Sequence, residues 1–189
     1  MRKKMIKVGF DLDGVILYNP IRIFRALVSD IFKAKIKKTK DRKFFIPQAE
    51  PTKFIWKILH KTSFMANPGL EDIKKLSKNN RFRFYLITGR YGFLKDDFED
   101  WLKRIKSNEI FYKVFLNADN LQPPEFKSSM IRKLKLDAYV EDNFDIVKEL
   151  NKNTKVKVLW MTNIVDKKIS YPLKFLSLKE VCQFLKTLA

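Results

Sequence analysis

Two aspartates one residue apart, Asp11 and Asp13, stand at the end of a short apolar run, Ile6 to Phe10, and Gly14 follows them. In extended backbone, residues i and i+2 point to the same side, so the two carboxylates leave the strand close together. Crowded at a dry sheet edge they repel each other, and a cation between them removes that cost. An all-oxygen ligand set suits a hard ion such as Mg²⁺. Gly14 lets the chain turn sharply without a Cβ clash. Three further polar groups also follow apolar runs. Thr88 comes after Phe82–Ile87, and Glu141 and Asp142 come after Ala138–Val140. In an open α/β sheet the ligand sits beyond the carboxyl ends of the strands, so these groups are expected at one rim. Together they suit one chemistry: carboxylates hold a divalent cation, a hydroxyl donates to a phosphate oxygen, and a lysine neutralises a second oxygen.

The elements that must position these groups alternate along the chain. Asn19-Pro20 reads as a helix start, and Ile21, Phe24, Leu27, Val28 and Ile31 follow at helical spacing. A basic connector, Lys33 to Lys43, leads to chain breaks at Pro47 and Pro51. A second amphipathic segment has Phe54, Ile55, Ile58 and Leu59 on one face. His60 reads as a partly exposed helix residue, because it has no Cys or His companions for a metal site. Beyond the Asn67-Pro68-Gly69 turn, a helix over Leu70–Lys78 is expected. Strands are expected over Phe82–Ile87, Tyr112–Leu116, Ala138–Val140 and Val156–Met161. Helices are expected over Phe93–Ile105, Phe126–Leu136 and Phe144–Leu150, with Pro123-Pro124 stopping the chain before the second of these. Ser177 and Glu180 have capping-box spacing ahead of a last helix burying Leu178, Val181, Cys182 and Leu185. This alternation predicts an α/β fold with a parallel sheet covered by helices on both faces. Residues 1–16 and 67–189 would form its core domain, and 17–66 a small helical insert.

Four ordered pieces of the chain resemble the motifs of the haloacid dehalogenase-like (HAD) hydrolases. They are Phe10-Asp11-Leu12-Asp13-Gly14-Val15, Leu86-Ile87-Thr88-Gly89-Arg90, Lys127, and Tyr139-Val140-Glu141-Asp142-Asn143. Lys133 and Lys135 compete with Lys127, which is chosen because it sits a full helix ahead of Asp137, as the family arrangement implies. The resemblance implies a HAD-like core with a cap inserted after the first strand. It also implies Mg²⁺-dependent phosphoryl transfer. Asp11 would be the nucleophile and Asp13 the acid and base. The ion would be held by the Asp11 carboxylate, the Asp13 backbone carbonyl and the Asp142 carboxylate, with Glu141 acting through water. Thr88, Gly89 and Lys127 would hold the phosphoryl group, with backbone N–H groups of the Leu12–Gly14 turn as further donors. Because Asp13 is present, a phosphatase is expected over a dehalogenase. The small cap is similar to that of the 5′(3′)-deoxyribonucleotidase group.

The 189 residues, 46% of them hydrophobic, suffice for one full core with a small appended subdomain. Apolar runs are broken by lysines, so no membrane span is expected. The start is basic, but Asp11 and Asp13 interrupt what would be a signal peptide's apolar region, and the lone cysteine cannot form an internal disulfide. Both features lead to a cytoplasmic expectation. The net charge of +19 attracts phosphorylated molecules and polyanions alike. The expected partner is a small phosphorylated substrate, a nucleotide or another metabolite. The alternatives are a nucleic-acid-binding protein on the same scaffold, using Lys33–Lys43 beside Phe44 and Phe45, and a phosphatase acting on polynucleotide ends. Arg90 would touch a second anionic group of the substrate or pair with Asp96 or Asp97. Phe54, Trp56 and Phe64 would stack on a base or pack internally.

Overall fold

The computed structural model describes residues 4–18, 44–61, 63, 65–162 and 165–188. The expected helix over 20–31, the basic run 33–43 and Phe64 lie outside these residues.

Period-two burial fixes the main sheet. In β1 (Ile6–Phe10) and β4 (Phe82–Tyr91), Val8, Phe10, Phe82, Phe84 and Leu86 face one cluster. Tyr85 and Ile87 face another. Six strands pair in the order β5-β4-β1-β6-β7-β8, every pairing parallel. The remaining members are β5 (Lys113–Asn117), β6 (Ala138–Glu141), β7 (Lys157–Met161) and β8 (Lys174–Phe175). Tyr139, Val158 and Trp160 join the second cluster, and Val140 and Leu159 the first. Both faces are therefore apolar, as a buried parallel sheet requires. Helices α2 (Leu70–Ser77), α3 (Lys95–Arg104) and α6 (Leu178–Thr187) cover one face. Helices α4 (Pro123–Leu134) and α5 (Phe144–Asn153) cover the other.

Local chemistry sets the helix ends. Ser177 Oγ accepts from the Glu180 N–H at 3.2 Å, and Asn143 Oδ1 accepts from Asp145 N–H at 2.9 Å. Pro123 and Pro124 do not stop the chain. They occupy the first turn of α4, where a missing N–H costs nothing. Cys182 is a free, buried thiol. Strand β4 runs four residues past Ile87, because β5 keeps pairing it up to Tyr91 across a register shift after Thr88.

The insert leaves and re-enters the core through a two-stranded antiparallel ribbon, β2 (Leu17–Tyr18) with β3 (Met65–Ala66). Leu17 is fully buried in the main core, so the packed core extends past residue 16. In the insert's described helix, α1 (Glu50–Lys61), the expected apolar face is the exposed one. Phe54, Ile55, Ile58 and Leu59 are 41–64% exposed, whereas Lys53, Trp56 and His60 are partly or fully buried. Period shows that a helix has two faces and does not say which one meets the core.

Between β1 and β2 the chain makes a tight turn, with Ile16 and Leu17 N–H both donating to the Leu12 carbonyl at 3.0 and 2.8 Å. Gly14 there has φ 80°, in the region side chains disfavour. Gly14→Ala is expected to lower unfolding free energy by about 1–2 kcal/mol in urea titration. An unchanged midpoint would remove this role from the glycine.

Candidate active site

The β1 and β6 carboxyl ends lie side by side, and Asp11 N–H donates to the Val140 carbonyl at 3.0 Å. That pairing brings Asp11 next to Glu141 and Asp142, although 130 positions separate them in sequence. The three residues are buried, and one carboxylate oxygen from each lies within 4.8 Å of the others. Lys127, the residue that follows the Pro-Pro-Glu-Phe start of α4, reaches the same point. Its Nζ is 3.0 Å from Asp11 Oδ1 and 2.7 Å from Glu141 Oε2, with the side chain 2% exposed. Lys127 is thus the lysine beside the acids. Glu141 is fixed further by Asp142 and Asn143 N–H, which donate to its Oε1 at 3.2 and 3.0 Å. The Asp142 carbonyl accepts from Trp160 Nε1 at 3.0 Å.

Three carboxylates against one ammonium leave two negative charges in a dry site. Burial, with Glu141 and Asp13 adding to it against the opposing pull of Lys127, pushes the Asp11 carboxyl up to about 7. Burial pulls the Lys127 ammonium down, but Asp11 and Glu141 outweigh it and raise Lys127 above the usual lysine value. An oxygen-only set with two excess negative charges fits a divalent hard cation such as Mg²⁺. The grouped oxygens belong to Asp11, Glu141 and Asp142, and those of Glu141 are also held by Lys127 and by the Asp142 and Asn143 N–H groups.

Asp13 faces elsewhere. Arg90 Nε donates to its Oδ2 and Arg90 Nη2 to its Oδ1, each at 2.8 Å. Arg90 Nη1 is held in turn by Asp97 of α3. The insert adds Ser63, whose Oγ donates to Asp13 Oδ1 at 3.2 Å, and His60, whose Nδ1 is 3.6 Å from Oδ2. Burial pushes the Asp13 carboxyl up, but the Arg90 guanidinium, aided by His60, outweighs it and holds Asp13 well below the carboxylate range. Its carboxylate is therefore committed to Arg90 rather than to the cation cluster.

Thr88 is buried and its Oγ1 accepts from the Arg90 N–H at 3.2 Å, which leaves the hydroxyl hydrogen to donate. Gly89 passes close to α4: a Cβ there would lie 3.1 Å from Pro123 Cβ and 3.6 Å from Lys127 Cε. Of the turn donors, Gly14 N–H is taken by the Leu17 carbonyl at 2.8 Å. Two residues read otherwise from the sequence belong here. His60 is 8% exposed rather than partly exposed, and Arg90 pairs with Asp97 but also with Asp13. Helical periodicity assigned His60 to no partner, and nothing in the linear order joins Arg90 to a residue 77 positions earlier.

No protein-family model matches the chain, and no curated protein matches it. Solved structures do. A HAD-superfamily hydrolase from Ehrlichia chaffeensis aligns at TM-score 0.57 and 15% identity over 100% of this chain and 99% of its own. YfnB of Bacillus subtilis, named as a HAD hydrolase and bound to magnesium, aligns at TM-score 0.60 and 15% identity over 97% and 100%. CbbY of Rhodobacter sphaeroides, in complex with phosphate, aligns at TM-score 0.59 and 13% identity over 94% and 96%. The chain has the fold of the HAD-superfamily hydrolases, with a parallel six-stranded sheet. Among the described residues no helix is long and apolar enough to cross a membrane.

Proposed function

We propose that this protein is a Mg²⁺-dependent phosphatase that hydrolyses the phosphomonoester of a small phosphorylated metabolite, nucleotides included, through an aspartyl-phosphate. The observation that carries the reading is the grouping of Asp11, Glu141 and Asp142 around one point with Lys127 salt-bridged to Asp11. Structures of the same fold that hold magnesium and phosphate support it.

Asp11, Asp142 and Glu141 would hold the ion, which supplies charge neutralisation at the cluster and favours the ionised Asp11 carboxylate. Asp11 attacks phosphorus. Its new O–P bond forms as the bond to the leaving oxygen breaks, and that oxygen takes a proton from Asp13, which has first taken one up from solvent. Water then attacks the aspartyl-phosphate, Asp13 accepts its proton, and phosphate departs with Asp11 restored. Lys127 and the Thr88 hydroxyl face the charge that develops on the phosphoryl oxygens. The ionised state of Asp13 suits the second half of this cycle, in which it takes a proton.

Hydrolysis of p-nitrophenyl phosphate is expected with Mg²⁺ and is expected to vanish in EDTA and return on adding excess Mg²⁺. Hydrolysis that persists in EDTA overturns the reading. A panel of sugar phosphates, mononucleotides and 3′- or 5′-phosphorylated oligonucleotides, assayed for released phosphate, is expected to favour the small molecules. Preference for the oligonucleotides would instead identify polynucleotide ends as the substrate.

A further inference from the structure

We infer that Arg90, anchored by Asp97, is a positioning residue that fixes the Asp13 carboxylate for proton transfer, and that Ser63 and His60 of the insert complete the clamp. The inference rests on the phosphatase reading above and adds residues to its machinery.

Asp13 has two free side-chain torsions, and nothing in its own turn dictates where its oxygens lie. Arg90 removes that freedom. Two parallel N–H···O bonds of 2.8 Å reach both oxygens, a planar geometry that only a guanidinium offers and a lysine cannot reproduce. Arg90 itself cannot swing, because its side chain is fully buried and its remaining terminal nitrogen is held by Asp97. The two carboxylates match the buried cation from opposite ends, so it is not left uncompensated. Its place is also telling. Arg90 comes two residues after Thr88, whose Oγ1 accepts from the Arg90 N–H. One strand end therefore presents the phosphoryl-facing hydroxyl and the clamp for the proton-transfer group.

The clamp joins two parts of the molecule. Arg90 and Asp97 belong to the core, while His60 ends α1 and Ser63 follows it. Asp13 is therefore fully oriented only when the end of α1 rests on the core. This ties the placement of the proton-transfer group to the placement of the insert. Misplacing a reacting group by about 1 Å costs on the order of 10²-fold in rate.

The signature is dependence on the leaving group. An alkoxide needs a proton as it departs, whereas p-nitrophenolate does not, so misplacing the group that delivers that proton acts mainly on alkyl phosphates. Rates for p-nitrophenyl phosphate and for an alkyl phosphate are to be compared in wild type, Arg90→Gln, Arg90→Lys, Asp97→Asn and Ser63→Ala. Inorganic phosphate and Mg²⁺ binding are to be measured by calorimetry on each, and folding checked by circular dichroism.

Arg90→Gln is expected to lower kcat for the alkyl phosphate about 10²-fold more than for p-nitrophenyl phosphate, with phosphate and Mg²⁺ affinities within about threefold of wild type. Arg90→Lys is expected not to rescue it. Ser63→Ala, a small change that spares the buried charges, is expected to show the same bias at about threefold. Equal losses on both substrates across the folded variants overturn the inference. So does a loss confined to KM and phosphate affinity, which would make Arg90 a substrate ligand. Should Arg90→Gln not fold, Ser63→Ala and Asp97→Asn decide by the same criterion. A folded wild type inactive on both substrates refutes the phosphatase reading, and with it this role.

Discussion

Replacing Asp11 by Asn is expected to abolish turnover and, in the absence of divalent metal, to make the protein more stable above neutral pH. The first effect follows from removing the nucleophile: no aspartyl-phosphate can form, and kcat should fall by about 10⁴-fold or more, the scale seen when a covalent nucleophile is lost. Single-turnover trapping of phosphoprotein from a labelled substrate is expected in wild type and absent in the variant. The second effect follows from burial. Desolvation raises the folded-state pKa of Asp11 to about 7, from an ordinary value of 3.8. Between those values the folded protein keeps a proton that the unfolded chain releases. Stability from this group is therefore full below about 4 and is lost as pH rises toward 7. The amide cannot ionise, so it escapes that loss. Thermal midpoints in EDTA are expected to favour Asp11→Asn by about 2–4 °C or more at pH 8, corresponding to about 1 kcal/mol or more. The two proteins should converge at pH 4.5, and Mg²⁺ should raise the midpoint of wild type at pH 8 more than that of the variant. A variant less stable than wild type at pH 8 in EDTA would mean that Asp11 is not the destabilised member of the cluster.

Lys127→Met is expected to be the most destabilising single change at the site. The ammonium is buried between Asp11 and Glu141, which themselves sit against Asp142. Removing the cation leaves carboxylates facing one another in a dry cluster. Taking away one partner of a buried pair costs about 3–5 kcal/mol. For a chain of this size that is roughly 6–20 °C in thermal midpoint. Mg²⁺ carries charge of the same sign to the same cluster, so millimolar Mg²⁺ is expected to recover more stability in the variant than in wild type. Activity should fall as well, because the phosphoryl oxygens lose a cation. A loss below about 1 kcal/mol in urea titration would show that the acids are protonated or hydrated rather than held by Lys127. By contrast, Lys133 and Lys135, the other lysines considered from the sequence, are not among the residues that meet the acids. Lys133→Met is expected to change neither stability nor rate measurably.

The strand-helix alternation and the acidic and hydroxyl positions were legible because each rests on local pattern, whereas Lys127 was singled out only by the family resemblance. A buried parallel strand needs a continuous apolar run. A polar group at its end therefore stands out within a few residues, as Asp11, Thr88 and Glu141 do. Periodicity likewise located α2, α5 and α6, whose apolar stripes do face the core. At α1 it grouped the apolar residues but did not give the direction they face: Phe54, Ile55, Ile58 and Leu59 are exposed and Lys53, Trp56 and His60 turn inward. The short strands β2, β3 and β8 carry two residues each, too few for any period to show.

The order of residues alone determined that carboxylates and a hydroxyl follow apolar runs, because backbone geometry and the exclusion of water from a two-sided sheet act over a handful of positions. Which carboxylates gather at one point and which one is claimed by a guanidinium was decided only by folding. Glu141 joins Asp11 and Asp142 because β6 lies against β1, and Asp13 turns away because β4, α3 and the end of α1 bring Arg90, Asp97, Ser63 and His60 to it. Those pairings depend on strand order and helix rotation, and charge attraction acts through space between residues that the chain holds far apart.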